Sequence, residues 1–327
     1  MQLDAEIGYH QANERPNERY MTQISPQAAG GPAHGTIISK KIAIPAEQIV
    51  PRTLVNGFVA SIDAPPLDAT LEPDALATIH AAWREHPVLV FPRQKLDPNA
   101  LAFFSNQLGE FGVDPYVRAT EAHQNVIEIR REPRETAPIF GHSWHSDWSF
   151  QSCPPSATLL QSHELPPQGG DTLFASGYRA FESLSPAMQT MLTPLKGIHS
   201  ARAAYGPRGL FAKDDETRSM KIVVSEEAEQ SCLHPIVRTH PESGKKTLYI
   251  NHVYTVGIDG FKEAESANLL GFLFRHMSQH SFTYRHRWQD DTLLMWDNRC
   301  VIHCADGGYQ GHRRVLYRTT LAGEQPY

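Results

Sequence analysis

Hydrophobic positions recur at helical spacing over residues 73–85 (PDALATIHAAWRE), where Leu76, Ile79 and Trp83 share a face and Pro73 suits a first turn. Val88-Leu89-Val90-Phe91 is a short, wholly apolar run and predicts a buried strand; a second helix is expected over 98–108. Helical patterns return at 178–192 and 263–280. In the latter, Leu269, Leu270, Leu273, Phe274 and Met277 form one stripe, which reads as core packing. Elsewhere the pattern breaks into short runs that predict strands at 156–162, 171–175, 247–251, 282–288, 292–296, 299–304 and 313–322. Pro166-Pro167-Gln168-Gly169-Gly170 and Asp306-Gly307-Gly308 interrupt those runs. After residue 140 strands outnumber helices, so the expected fold is mainly β, a double-sheet jelly roll with flanking helices. Residues 201–232 lack a clean period and read either as a lid or as an irregular insertion.

Residues 1–37 offer little apolar surface to offset ordering entropy, and a mobile tail is expected there, with 38–327 as the folded domain. Over all 327 residues, 40% are hydrophobic and 20% charged, enough for a sizeable core. Thirty Lys and Arg against 36 Asp and Glu leave a net charge of −6, which argues against a nucleic-acid partner. No apolar run approaches the roughly 18 residues of a membrane span. Asp4, Glu6, Glu14 and Glu18 spoil a targeting sequence, and four cysteines make no disulfide scaffold. A cytoplasmic protein is expected.

Seventeen histidines say little singly, but Trp144-His145-Ser146-Asp147-Trp148-Ser149-Phe150 stands apart. On a strand, His145 and Asp147 leave on the same face and supply an imidazole and a carboxylate to one point. His303, in WDNRCVIH (296–303), is the best candidate for a third ligand. Two histidines and one carboxylate on a single face suit non-haem Fe(II). Cys300, His303 and Cys304 lack the paired spacing of structural zinc sites and the order of a haem attachment motif, so structural cysteines are the preferred reading. Gly169-Gly170-Asp171-Thr172 lacks the pattern of a phosphate loop, and no G-x-S-x-G elbow occurs.

WHSDWSF, GGDTLFAS (169–176), WDNRCVIH and HRRVLYRTTLAGEQP (312–326) follow one another in an order that resembles the taurine and 2,4-D dioxygenases. FSNQLGEFG (104–112) and HPIVRTHPESGKKTLYIN (234–251) extend the resemblance from about residue 38 to the C-terminus. It implies a double-stranded β-helix and Fe(II)- and 2-oxoglutarate-dependent oxidation by O₂, with release of succinate and CO₂. By the same resemblance, His145, Asp147 and His303 bind iron, and Thr172 and Arg314 take the distal carboxylate of 2-oxoglutarate. Arg318 falls where relatives often meet the acidic group of a small substrate. A hydroxylated C–H bond is the expected outcome; desaturation, oxidative decarboxylation of an amine-bearing acid, or a non-catalytic jelly-roll binding module are the alternatives. Relatives commonly form homo-oligomers.

The resemblance weakens around the substrate. Asp114 and Val117 align with a His and a Tyr of taurine dioxygenases, Trp148 stands where those enzymes have a small residue, and Gly141 replaces an asparagine. These departures imply a substrate other than taurine, acidic or zwitterionic, with Asp114, Trp148 and Arg318 forming its pocket.

Overall fold

The computed structural model describes residues 43–213 and 216–327; the tail expected over 1–37 lies outside them. The strands are β1 (Val50–Val55), β2 (Val59–Asp63), β3 (Val88–Phe91), β4 (Ile127–Arg131), β5 (Ala157–Glu164), β6 (Thr172–Ser176), β7 (Lys196–Ser200), β8 (Ser231–Pro235), β9 (Val237–Thr239), β10 (Lys246–Leu248), β11 (Thr255–Ile258), β12 (Thr283–His286), β13 (Leu293–Asp297), β14 (Val301–Ala305) and β15 (Arg314–Leu321). The helices are α1 (Pro73–Glu85), α2 (Pro98–Leu108), α3 (Gly177–Glu182), α4 (Pro186–Leu192), α5 (Arg202–Tyr205) and α6 (Glu263–Met277). The protein is mainly β with helices packed on its outside.

The larger sheet runs β1-β2-β3-β13-β5-β15-β4. Its only parallel neighbours among the described residues are β2 and β3, which α1 connects; all other pairs are antiparallel. A second, three-stranded sheet runs β12-β6-β14. Every residue of β13 is buried, as its central place requires of the run Leu-Leu-Met-Trp-Asp. Alternate residues of the large sheet then feed two cores. Leu89, Leu159, Met295 and Leu321 meet Ile79, Leu101 and Phe104 of α1 and α2. Leu160, Leu294 and Leu316 face Phe174 and Val301 of the three-stranded sheet. Because Leu316 points between the sheets, Arg314 and Arg318, two residues away on either side, point there as well. This alternation delivers charged groups into the interior.

The helix expected over 178–192 is two, α3 and α4. Proline disfavours helical geometry in the residue before it, so Ser185 leaves the helical path and caps α4, its side chain accepting from the Met188 N–H. The α6 stripe is buried through Leu270, Leu273 and Met277 as expected. Among the described residues of 201–232, regular structure is limited to α5, one 3₁₀ turn at Glu226–Glu229 and the start of β8 at Ser231. They form an irregular insertion whose Ala204, Tyr205 and Phe211 pack with Phe140, Trp148 and Tyr254.

Candidate active site

His145 and Asp147 do not lie on a strand. His145 makes an isolated antiparallel bridge to His303 of β14, with His145 N–H donating to the His303 carbonyl at 2.9 Å and the reverse bond at 2.8 Å. The chain then turns, and Trp148 takes a left-handed φ of +47°. The bridge holds the two imidazoles 4.2 Å apart between ring centroids, while the turn swings Asp147 beneath them. One donor atom from each of His145, Asp147 and His303 can be chosen so that all lie within 4.8 Å of one another, and the three residues are buried.

These groups could serve as metal ligands. His145 Nδ1 lies 2.7 Å from the Ser143 carbonyl, which can only accept, so the proton sits on Nδ1 and the Nε2 lone pair is free. Burial, and next to it His145, hold the His303 imidazole well below its ordinary value, hence neutral. Burial alone would raise the Asp147 carboxyl. The adjacent Arg318 guanidinium outweighs that effect and holds it well below the usual carboxylate range. Thr158 of β5 donates to Asp147 Oδ2 at 2.6 Å, and Asn298 donates to Thr158 at 2.8 Å, so the carboxylate is fixed by a chain reaching into the large sheet. Two imidazoles and one ionised carboxylate match the donor set that suits Fe(II). Sequence reasoning singled out neither Thr158 nor Asn298, because each acts only through another side chain.

Two cavities meet at this cluster. The smaller, about 40 Å³, is lined by His145, His303, Thr172, Arg314, Arg318 and Gly141, among others. Arg314 is buried, and burial lowers its pKa from the ordinary value. Its Nη2 donates to the Gly170 carbonyl at 2.9 Å and its Nε has no partner. Thr172 opens β6, and its hydroxyl accepts from Trp288 Nε1 at 3.0 Å. The structure therefore brings together all five residues expected to serve iron and 2-oxoglutarate. Arg313, on the opposite face of the chain, pairs outside with Glu132 at 3.2 Å and with Glu164.

The larger cavity, about 870 Å³, is walled by Phe140, Trp148, Tyr205, Phe211, Val253 and Tyr254 around His145 and Asp147, with Arg134 and His142 on its exposed side. Of the three residues expected to contact substrate, only Trp148 lines it. Arg318 lines the smaller cavity instead, and its guanidinium is held by Asp147 Oδ1 at 3.2 Å and Asp114 Oδ1 at 2.7 Å. Asp114 sits on the far side of Trp148. Its Oδ1 accepts from the indole Nε1 at 2.6 Å, and its Oδ2 accepts from Thr320 at 3.3 Å. The buried Arg318 guanidinium thus already has two carboxylates beside it, those of Asp147 and Asp114.

Cys300 does not join His303. It lies with His240 and Asp297, where Asp297 is already bonded to His240 and, three times over, to Arg299. All four cysteines are free thiols.

The profile of the taurine catabolism dioxygenase TauD, TfdA family matches residues 51–320. The chain belongs to that family. It is similar to the alkylsulfatase of Acinetobacter baylyi, with 31% identity over 282 residues, or 86% of this chain and 87% of the relative. An alpha-ketoglutarate-dependent 2,4-dichlorophenoxyacetate dioxygenase of Burkholderia sp. strain RASC is 30% identical over 82% of this chain and 92% of its own. The crystal structure of a taurine dioxygenase from Burkholderia xenovorans superposes with a TM-score of 0.70 at 29% identity, covering 85% of this chain and 92% of that one. As a TauD, TfdA family member, this protein is a dioxygenase that uses Fe(II), 2-oxoglutarate (alpha-ketoglutarate) and O₂. Among the described residues, no helix is long and apolar enough to cross a membrane.

Proposed function

We propose that the fold is a double-stranded β-helix in which His145, Asp147 and His303 hold Fe(II) and Thr172 and Arg314 hold the far carboxylate of 2-oxoglutarate. The enzyme then hydroxylates a C–H bond of a small acidic organic substrate in the larger cavity. The observation that carries this reading is that one small cavity is lined by His145, His303, Thr172 and the buried Arg314, whose Nε has no partner. A dicarboxylate anchored at Arg314 has its other end directed at the triad.

The bound iron supplies oxidation by O₂, coupled to conversion of 2-oxoglutarate to succinate and CO₂. Arg314 offers a planar fork to the C5 carboxylate, and the Thr172 hydroxyl completes the grip. Asp147, kept ionised by Arg318 and oriented by Thr158, contributes negative charge to the cation. The aromatic wall excludes water from the reacting carbon and positions it. The acidic character of the substrate is supported by the 2,4-dichlorophenoxyacetate relative and by Arg134 at the exposed side of the cavity.

The test is succinate release with Fe(II), 2-oxoglutarate and O₂ over sulfonates, sulfates, aryloxy acids, phosphonates and amino acids. The expected result is turnover by one class, a product heavier by one oxygen or the fragments of its collapse, and loss of both metal binding and turnover in His145→Ala. Full metal stoichiometry in His145→Ala would refute the ligand assignment. Turnover confined to uncharged compounds would refute the substrate class.

A further inference from the structure

We infer that Asp114 is a specificity-determining residue: by occupying Arg318 it denies that guanidinium to an anionic substrate, so the substrate enters apolar end first and is oxidised away from its acidic group. This rests on the function proposed above and concerns the orientation in which the substrate binds.

Arg318 is the cation nearest the metal cluster, touching Asp147 itself at 3.2 Å. An acidic substrate whose charged group sought the inner end of the large cavity would have to reach it. The way is closed twice. Asp114 is 2.7 Å from Nη2 and places a full negative charge where the incoming anion would sit. The same oxygen fixes the Trp148 indole at 2.6 Å, and the Arg318 guanidinium carbon lies 5.1 Å from the indole ring centroid. Apart from the candidate metal ligands His145 and Asp147, the inner end is therefore aromatic and offers no free cation, bounded by Trp148, Tyr205 and Tyr254. Arg131, the other buried-side cation on the wall, is committed to the Ala137 and Glu135 carbonyls. Arg134 is exposed, lines the cavity and has no ion-pair partner among the described residues. The anion is accommodated there, at the mouth, with its apolar body directed inward.

The regiochemistry follows. If the carbon bearing a sulfate ester is hydroxylated, the C–O bond to sulfate breaks, the hydroxyl carbon becomes an aldehyde, and its proton leaves with the sulfate. If a carbon remote from the ester is hydroxylated, one oxygen atom is added and the ester survives. The second outcome is the one this arrangement selects. One atom of O₂ goes to the substrate and the other to succinate, so the electrons balance in both cases.

The probe is hexyl sulfate, used with the enzyme loaded with Fe(II) and 2-oxoglutarate. Anaerobic calorimetric titration reads binding, and product analysis under O₂ reads position. Wild type is expected to yield a hydroxyhexyl sulfate with no free sulfate, and Arg134→Gln to weaken binding by about two- to fivefold. Asp114→Asn keeps an acceptor for the indole but removes the charge. It is expected to tighten binding by about tenfold or more and to divert oxidation towards sulfate release. Free sulfate from the wild type overturns the inference. So does an affinity that neither substitution moves. Should Asp114→Asn unfold, the wild-type product and the Arg134→Gln titration still decide. Failure of the proposed function would look different: no 2-oxoglutarate would be decarboxylated, with or without substrate, whatever the titrations gave.

Discussion

Arg314 makes opposite predictions for the empty and the loaded protein. It is 4% exposed, with one hydrogen bond to the Gly170 carbonyl, the Tyr309 ring 5.6 Å away and no ion-pair partner among the described residues. Burying a cation costs several kcal/mol even after relaxation. The hydrogen bond returns about 1.5–3 kcal/mol and the ring about 0.5–2 kcal/mol. Arg314→Met, close in length and apolar, should therefore leave the ligand-free protein as stable as before or raise its melting temperature, by about 2 °C for each kcal/mol at this size. Its affinity for 2-oxoglutarate should fall by about 2–5 kcal/mol, or roughly 30- to 5,000-fold. Thermal unfolding of the metal-loaded protein, with and without 2-oxoglutarate under anaerobic conditions, reads both effects. At a hundred times the dissociation constant the ligand adds about 2.7 kcal/mol, about 5 °C for wild type, and the variant should lose that shift. A variant that melts several degrees lower when empty yet keeps the full ligand shift would refute the assignment, because Arg314 would then serve the fold.

Two further outcomes test its surroundings. Gly170 has φ +72°, and an added Cβ would lie 2.9 Å from Arg314 Nε; Gly170→Ala should lower stability by about 1–2 kcal/mol and weaken 2-oxoglutarate in the same titration, and unchanged affinity would separate Gly170 from the anchor. Burial pushes the His286 imidazole down to about 4, against an opposing effect of Asp171. Its folded value lies below the ordinary one, so the unfolded chain binds the extra proton. The associated stability is present above about pH 6.5 and is lost as the pH falls towards 4, by about 3 kcal/mol. Urea unfolding of wild type and His286→Phe across that range should show the variant with the shallower slope; parallel slopes would sink the claim.

The parts of the site that depend on regular period were legible in the sequence. Arg314 and Arg318 share the inner face of β15 because an uninterrupted strand alternates strictly, and the triad followed from residue types in their context. The shared face argued for His145 and Asp147 holds on a strand; the chain turns there instead, and nothing local announces the left-handed φ at Trp148. Asp114 is expected from the sequence in the substrate pocket, yet it does not line that cavity. Its commitment to Arg318 crosses 204 positions of chain, and no pattern in one sequence records such a pairing. Likewise Ser185 and Pro186 mark a helix boundary inside the helical pattern over 178–192.

The division of labour between sheet and loops bears on how this protein can change. The large sheet and its three-stranded partner carry Thr158, Thr172, His303, Arg314 and Arg318, each fixed by strand register. Much of the larger cavity's wall comes from segments outside the sheets, 133–143 and 204–211, with exposed positions at Pro133, Arg134, Thr136, Pro138 and Leu210. Substitutions there alter what is admitted while leaving the pairing of the strands untouched, and exposed positions are those where replacement usually alters stability least. Diversification can proceed on the loops at little risk to folding. A library confined to those five positions is accordingly the shortest route to variants with new substrates and an intact oxidising centre.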